Sequence, residues 1–198
     1  AGRNALEAHR MEREREASYE RVAARIASLC GLAAPPVRIE GFDVSTISGS
    51  DPVGSMVTFV GGRPAKRWYR KFRVRGISGQ DDFAMMEQVV RRRFGHDEDF
   101  GGMPDLVLVD GGKGQLSSAQ AAMGAAGAGA VPVISLAKQR VRGGETAFRE
   151  RIFLPGRKNP VILPGNDPLL HLLMRVRDEA HRFALRFHRD RRSRAAFR

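Results

Sequence analysis

Apolar positions along the chain switch between helical and strand spacing, and each switch marks an element. Residues 3–30 are charged in almost every early turn, and Val22, Ile26 and Leu29 share one helical stripe, so one helix is predicted whose later turns alone can dock. Gly31 and Pro35-Pro36 end it, because proline cannot continue a helix and glycine suits the position just past one. This divides the chain into an N-terminal linker helix, 1–34, and a domain, 35–198. VRIEGFDVS (37–45) and SMVTFV (55–60) read as strands, and Gly61-Gly62 predicts a hairpin that pairs residues 65–75 antiparallel with 55–60. Ser78 followed by Asp81 has the form of a helix start, and Phe83, Met86, Val89, Val90 and Phe94 then recur at helical spacing, predicting a helix over 81–94. LVLV (106–109) is the continuous apolar run of a parallel strand buried on both faces, and DGGKGQ turns it into a helix over 115–124. VPVISLAK (131–138) is a further buried strand, and 149–165 contains a small hairpin or two short strands. Asp167-Pro168 opens a last helix over 167–190, with Pro168 at the first helical position, where its missing N–H does no harm. The order predicts a mixed α/β sheet flanked by helices.

Composition narrows the function classes. A length of 198 residues with 42% hydrophobic positions suits one domain with a real core plus an appendage. No apolar run approaches the ~18 residues that a membrane span needs. The polar N-terminus is unlike a signal or transit peptide, so a cytoplasmic protein is expected. The single Cys30 excludes an intrachain disulfide, and no Cys and His stand at zinc-ligand spacing.

Charge points to a polyanionic partner, because 34 Lys and Arg against 22 Asp and Glu leave a net charge of +12. The surplus is clustered. Seven of the thirteen residues from 63 to 75 are basic and none is acidic. Strand period puts Arg67, Tyr69, Lys71, Arg73 and Arg75 on one face, a cationic ridge, and Trp68, Phe72 and Val74 with Arg70 on the other. Nine arginines against three acids between 171 and 198, Arg182 among them, form a second patch.

Two aspartates interrupt apolar strands. Asp43 lies between Phe42 and Val44, where an unpaired carboxylate is expensive to bury, and Asp110 follows LVLV at the carboxyl end of its strand. If these strands are neighbours, the two carboxylates meet at one sheet edge, and a divalent cation, Mg²⁺ or Mn²⁺, relieves their repulsion. Taken singly, either is equally a turn former or helix cap. His181 on the last helix is a candidate third ligand or general base, although a lone helical histidine is more often a packing residue. Asp82 fits a favourable charge at a helix start and stands second in line for the metal. The turn Gly111-Gly112-Lys113-Gly114 offers backbone N–H groups and the Lys113 ammonium as a phosphate seat, but does not match the G-x-x-x-x-G-K-S/T pattern of a nucleotide-hydrolysing loop. His188, seven residues on from His181, shares its face but lies closer to the basic tail, and His96 and His171 carry no usable pattern.

The segments GFDVS, YRKFRV, DDFAMMEQVVRRRF, PDLVLVDGGKGQL, ISLAK and LLHLLMRVRDEAHRFALRFHRDRR resemble, in this order and over residues 37–193, the C-terminal endonuclease region of the UvrC excinuclease family. The resemblance implies an RNase H-like mixed five-stranded sheet flanked by helices, and a metal-dependent 5′ incision of damaged double-stranded DNA in nucleotide excision repair. It implies Asp43, Asp110 and His181 as the catalytic and metal-binding set, with Asp82 also of importance. A histidine in place of another carboxylate implies one tight metal rather than two. The cationic patches and the glycine turn are expected to contact DNA through Arg67, Tyr69, Arg70, Lys71, Arg73, Lys113 and Arg182. The resemblance also implies work with UvrB and UvrA through parts outside this chain, namely a GIY-YIG nuclease, a UvrB-binding segment and a helix-hairpin-helix pair. Many relatives carry a histidine where this chain has Thr46. Two other readings fit the residues: a nucleic-acid-binding module without catalysis, and a partner-binding domain that docks through helix 3–30.

Overall fold

The computed structural model describes residues 2–45, 52–77, 81–95, 100–140 and 148–196, with side chains given up to residue 185 of the last helix. Thr46, Ser78 and His96 lie outside the described residues, as do His188 and the tail arginines at the level of their side chains. The elements follow in the order α1 (Gly2–Cys30), β1 (Arg38–Ser45), β2 (Val53–Val60), β3 (Arg63–Pro64), β4 (Arg70–Arg73), α2 (Asp82–Phe94), β5 (Leu106–Asp110), α3 (Lys113–Ala125), β6 (Val133–Arg140), β7 (Phe148–Phe153) and α4 (Pro168–Ala196).

The strands form one sheet in the order β3-β2-β1-β5-β6-β7, with β4 also paired to β2. β1 runs antiparallel to β2 and parallel to β5, which makes the first and fourth long strands neighbours. Seven strands replace the expected five, for two reasons. The hairpin arm expected over 65–75 is broken by a 3₁₀ turn at Lys66–Trp68, so it pairs with β2 in two pieces. Pro64, which has no N–H to continue a ladder, stands at the break. The segment after β6 contributes a full edge strand, β7, and only an isolated bridge joins Ile152 to Val161.

Alternation along β5 shows how the sheet is buried. Val107 and Val109 join the cluster under α2 and α3, whereas Leu106 and Leu108 join the cluster under α1 and α4. An apolar run buried on both faces is what a central parallel strand requires. Each helix supplies its own stripe: Met85, Met86, Val89 and Val90 from α2, and Leu169, Leu172, Leu173, Val176, Ala180 and Ala184 from α4. From α1, Ala23, Ile26 and Ala27 are buried, while its first half stays exposed. Asp167 ties this layer together, accepting two hydrogen bonds from Arg25 of α1 at 2.9 and 2.7 Å and capping α4 through the Leu169 N–H.

Two features under β1 were not foreseen. Glu40, fully buried on the α2 side, is paired with the equally buried Arg93 of α2 and with Arg38. On the opposite side α4 crosses β1 at Gly41, where an added Cβ would come within 2.5 Å of Val176 Cγ1. A residue without a side chain is what lets the helix approach so closely.

Candidate metal centre

The crossing at Gly41 sets the site. From Gly41 to Asp43 the strand advances about 6.6 Å, and from Val176 to His181 the helix advances about 7.5 Å, so the two elements deliver Asp43 and His181 to one level. Ser55, the cross-strand partner of Asp43, donates its hydroxyl to the Ala180 carbonyl at 2.8 Å and holds the helix there. In the parallel pair Phe42 is in register with Val109, so Asp43 and Asp110, one step on, stand side by side on the α4 face. One ligand atom from each of Asp43, Asp110 and His181 lies within 4.8 Å of the others. Asp82, at the start of α2, approaches the edge from the other face and is not part of this group.

The site is electrostatically unfinished. Asp43 Oδ2 is buried and has no hydrogen-bond partner. His181 Nδ1 stands 3.5 Å away, close enough for charge attraction but too long for a well-formed hydrogen bond. Burial, and next the Asp43 carboxylate, push Asp110 up to about 6, although Arg177, His181 and Lys138 pull it down. Asp82 is raised by burial and by Asp43 and Asp81. His181 is raised by its attraction to Asp43, against partial burial. Two crowded carboxylates, one with a stranded oxygen, together with an imidazole suit a hard divalent cation with oxygen ligands and room for a nitrogen. The 4.8 Å spread is close to the ~4.2 Å separating opposite ligands of an octahedral magnesium ion, so small side-chain adjustments would let them share one ion.

The sequence profile of the UvrC RNase H endonuclease domain matches residues 27–185. The chain belongs to this family. It is 47% identical over 171 residues to the UvrABC system protein C of Dehalococcoides mccartyi, which covers 83% of this chain and 27% of the relative. It is 44% identical over 216 residues to that of Desulforudis audaxviator, covering 100% of this chain and 33% of the relative. The chain thus spans about a quarter to a third of the length of these relatives. Among solved structures it is similar in fold to Endonuclease V of Ciona intestinalis in complex with an inosine-containing DNA, with a TM-score of 0.49 and 12% identity over 91% of this chain and 98% of that one.

In this UvrC-family domain the basic residues depart from the expected ridge. Tyr69 is buried: its ring packs edge-on against Phe183 of α4, and its hydroxyl donates to Glu179. The ring is therefore unavailable for stacking on a base, because α4 covers the α4-facing side of β4. Lys71 sits on the same covered side with its ammonium 4.6 Å from the Phe183 ring centroid. Arg70 lies on the opposite face, where its guanidinium donates to the Arg67 and Tyr69 carbonyls and stacks over Phe100. Arg67 is exposed and lies over Trp68, and Arg73 is exposed. Arg182 is exposed but doubly bonded to Glu179.

The expected phosphate seat is also narrower than the sequence suggested. The Gly111 N–H donates to the Leu136 carbonyl and the Gly112 N–H to Gln115 Oε1, which leaves Lys113 and Gly114, both exposed at the start of α3, as the part of that turn facing solvent. Lys138 was missed. It stands on β6 two residues beyond Leu136, the partner of Asp110, and its charge acts on both Asp110 and His181. Arg177, buried one turn before His181 and paired with Glu150 and Asp178, was missed as well. Strand period alone puts Lys138 on the metal face once β6 is placed beside β5. The signal was present in ISLAK.

Proposed function

We propose that this domain is a divalent-metal-dependent DNA endonuclease that makes the 5′ incision of nucleotide excision repair. The observation that carries this reading is the buried, unpartnered Asp43 Oδ2 beside Asp110 and His181. Asp43 and Asp110 hold one Mg²⁺ or Mn²⁺, and His181 completes the set. When bound, the ion polarises the scissile phosphodiester and acidifies the attacking water, in support of in-line hydrolysis.

The chain's own groups do the rest. His181, raised by its contact with the Asp43 carboxylate, would ligate the ion or accept a proton from the attacking water. Half-exposure of its side chain gives that proton a route to solvent. Lys138 and Lys113 flank the carboxylates and orient the phosphate. Asp82 tunes the site through its charge rather than as a ligand. The substrate is damaged double-stranded DNA, the setting is the cytoplasm, and UvrB with UvrA is engaged through parts of the protein beyond this domain. Residues 1–34 serve as the linker helix to those parts, docked by its second half. Among the described residues no helix is long and apolar enough to cross a membrane.

The test is Asp43→Asn in the full-length protein assembled with its UvrA and UvrB. The 5′ cut is lost while the 3′ cut persists; retention of 5′ cutting refutes the assignment.

A further inference from the structure

Among the described residues β4 is an edge strand, paired only to β2, and its outer side is closed by side chains of α2 rather than by another strand. Gln88 mimics a strand there: its amide donates to the Arg75 carbonyl and accepts from the Arg75 N–H, both at 2.9 Å. One turn on, Arg92 donates to the Arg73 carbonyl at 2.9 Å while its guanidinium lies over the Phe72 ring. These contacts satisfy the sheet edge. They do not account for the guanidinium groups of Arg73 and Arg75, which make no hydrogen bond or ion pair with any described residue.

Arg73, Arg75, Arg92 and Gln88 line one open pocket of about 390 Å³, and among the described residues no carboxylate lines it. The acid of the same stretch of α2, Glu87, is turned to Arg91. Three like charges gathered without a counter-charge repel one another unless an anion joins them. Planar guanidinium groups match the oxygens of a phosphate two at a time. We propose that this pocket is a second phosphate seat, which holds a backbone phosphate of the DNA away from the scissile one.

Its position supports a backbone phosphate over a free anion. Arg73 is in register with Val53, and Val53 with Ser45, so it lies two strands across and two residues beyond Asp43, about 12 Å away by strand geometry. The pocket is therefore on the metal-centre end of the sheet, within reach of the same bound duplex. The inference rests on the nuclease reading for the identity of its ligand.

The experiment measures binding of a fluorescein-labelled duplex to the 198-residue chain in EDTA, over about 50 to 200 mM KCl. Arg75→Gln is the main variant, because the guanidinium it removes makes no hydrogen bond or ion pair with any described residue. It should lower the slope of log K against log salt by about 0.9, and affinity at 0.1 M salt by about eightfold, the counterion release of one phosphate contact. Arg75→Gln with Arg92→Gln should weaken binding further, and Arg75→Lys should restore most of the slope. A wild-type slope in both glutamine variants overturns the proposal. So does calorimetric binding of inorganic phosphate that Arg75→Gln abolishes while the DNA slope stays unchanged, which would mark a free-anion site. No metal is present in these measurements, so their outcome is independent of whether Asp43→Asn retains the 5′ cut.

Discussion

Asp110→Asn should stabilise the metal-free domain. In the folded protein the Asp110 carboxyl is pushed up to about 6 from an ordinary 3.8, by burial first and Asp43 second. Between these values the folded chain holds a proton that the unfolded chain has released, so stability falls as pH rises through this window and levels off above it. The difference of about 2 pKa units, at 1.36 kcal/mol each, makes the loss about 3 kcal/mol. An asparagine does not titrate and escapes it. Urea denaturation in EDTA, run from pH 3.5 to 8 on both proteins, should give equal relative stability at the acid end. At pH 8 the variant should be more stable by up to about 3 kcal/mol, a midpoint shift of about 1 M or more. Adding Mg²⁺ or Mn²⁺ at about a thousandfold its Kd should reverse the order, because it stabilises the wild type by about 4.1 kcal/mol and the variant has lost a ligand group. If the two proteins differ by the same amount at every pH, or if the variant is the weaker at pH 8 without metal, the crowded-carboxylate account fails.

Two further substitutions test the scaffold. Gly41→Ala brings a Cβ within 2.5 Å of Val176 Cγ1 and 3.3 Å of its carbonyl, and α4 must lift; the expected loss is about 1–3 kcal/mol in urea denaturation, with weaker metal binding because His181 moves off level. Glu40→Gln leaves the buried Arg93 guanidinium without its counter-charge and should cost about 3–5 kcal/mol, whereas Glu40→Leu combined with Arg93→Met should recover only part of that loss in the same measurement, because Arg38 still lacks its carboxylate partner.

Much of the architecture is legible along the chain because its physical causes are local. The runs at 37–45 and 106–109 are strands in the structure to within a residue, that at 131–138 is a strand shifted to Val133–Arg140, and the last helix starts at the Asp167-Pro168 pair that predicted it. Asp43 and Asp110 stand out because each places a carboxylate at an apolar strand's active edge, and the parallel pairing of β1 with β5 brings them together. His181 has no such local mark. Its placement depends on α4 crossing at Gly41, so the sequence offered it only as a candidate whose case depended on the two aspartates and on the family resemblance. The misreadings share a cause in tertiary covering. Nothing in YRKFRV says that Phe183, more than a hundred residues on, will cover the Tyr69 face, or that a 3₁₀ turn will interrupt its period. The Glu40–Arg93 pair and the use of the Gly111 and Gly112 N–H groups within the fold likewise arise from contacts between elements. Lys138 was readable in principle, since its strand period and the position of β6 beside β5 suffice to face it toward Asp110.

The central claim is that Asp43, Asp110 and His181 grip one divalent ion. A crystal of the domain soaked in Mn²⁺, with diffraction recorded at the manganese absorption edge, tests it directly. A single anomalous peak within bonding distance of both carboxylates and the imidazole is the predicted result. No peak among the three, or a peak held by Asp82 instead of Asp110, contradicts it.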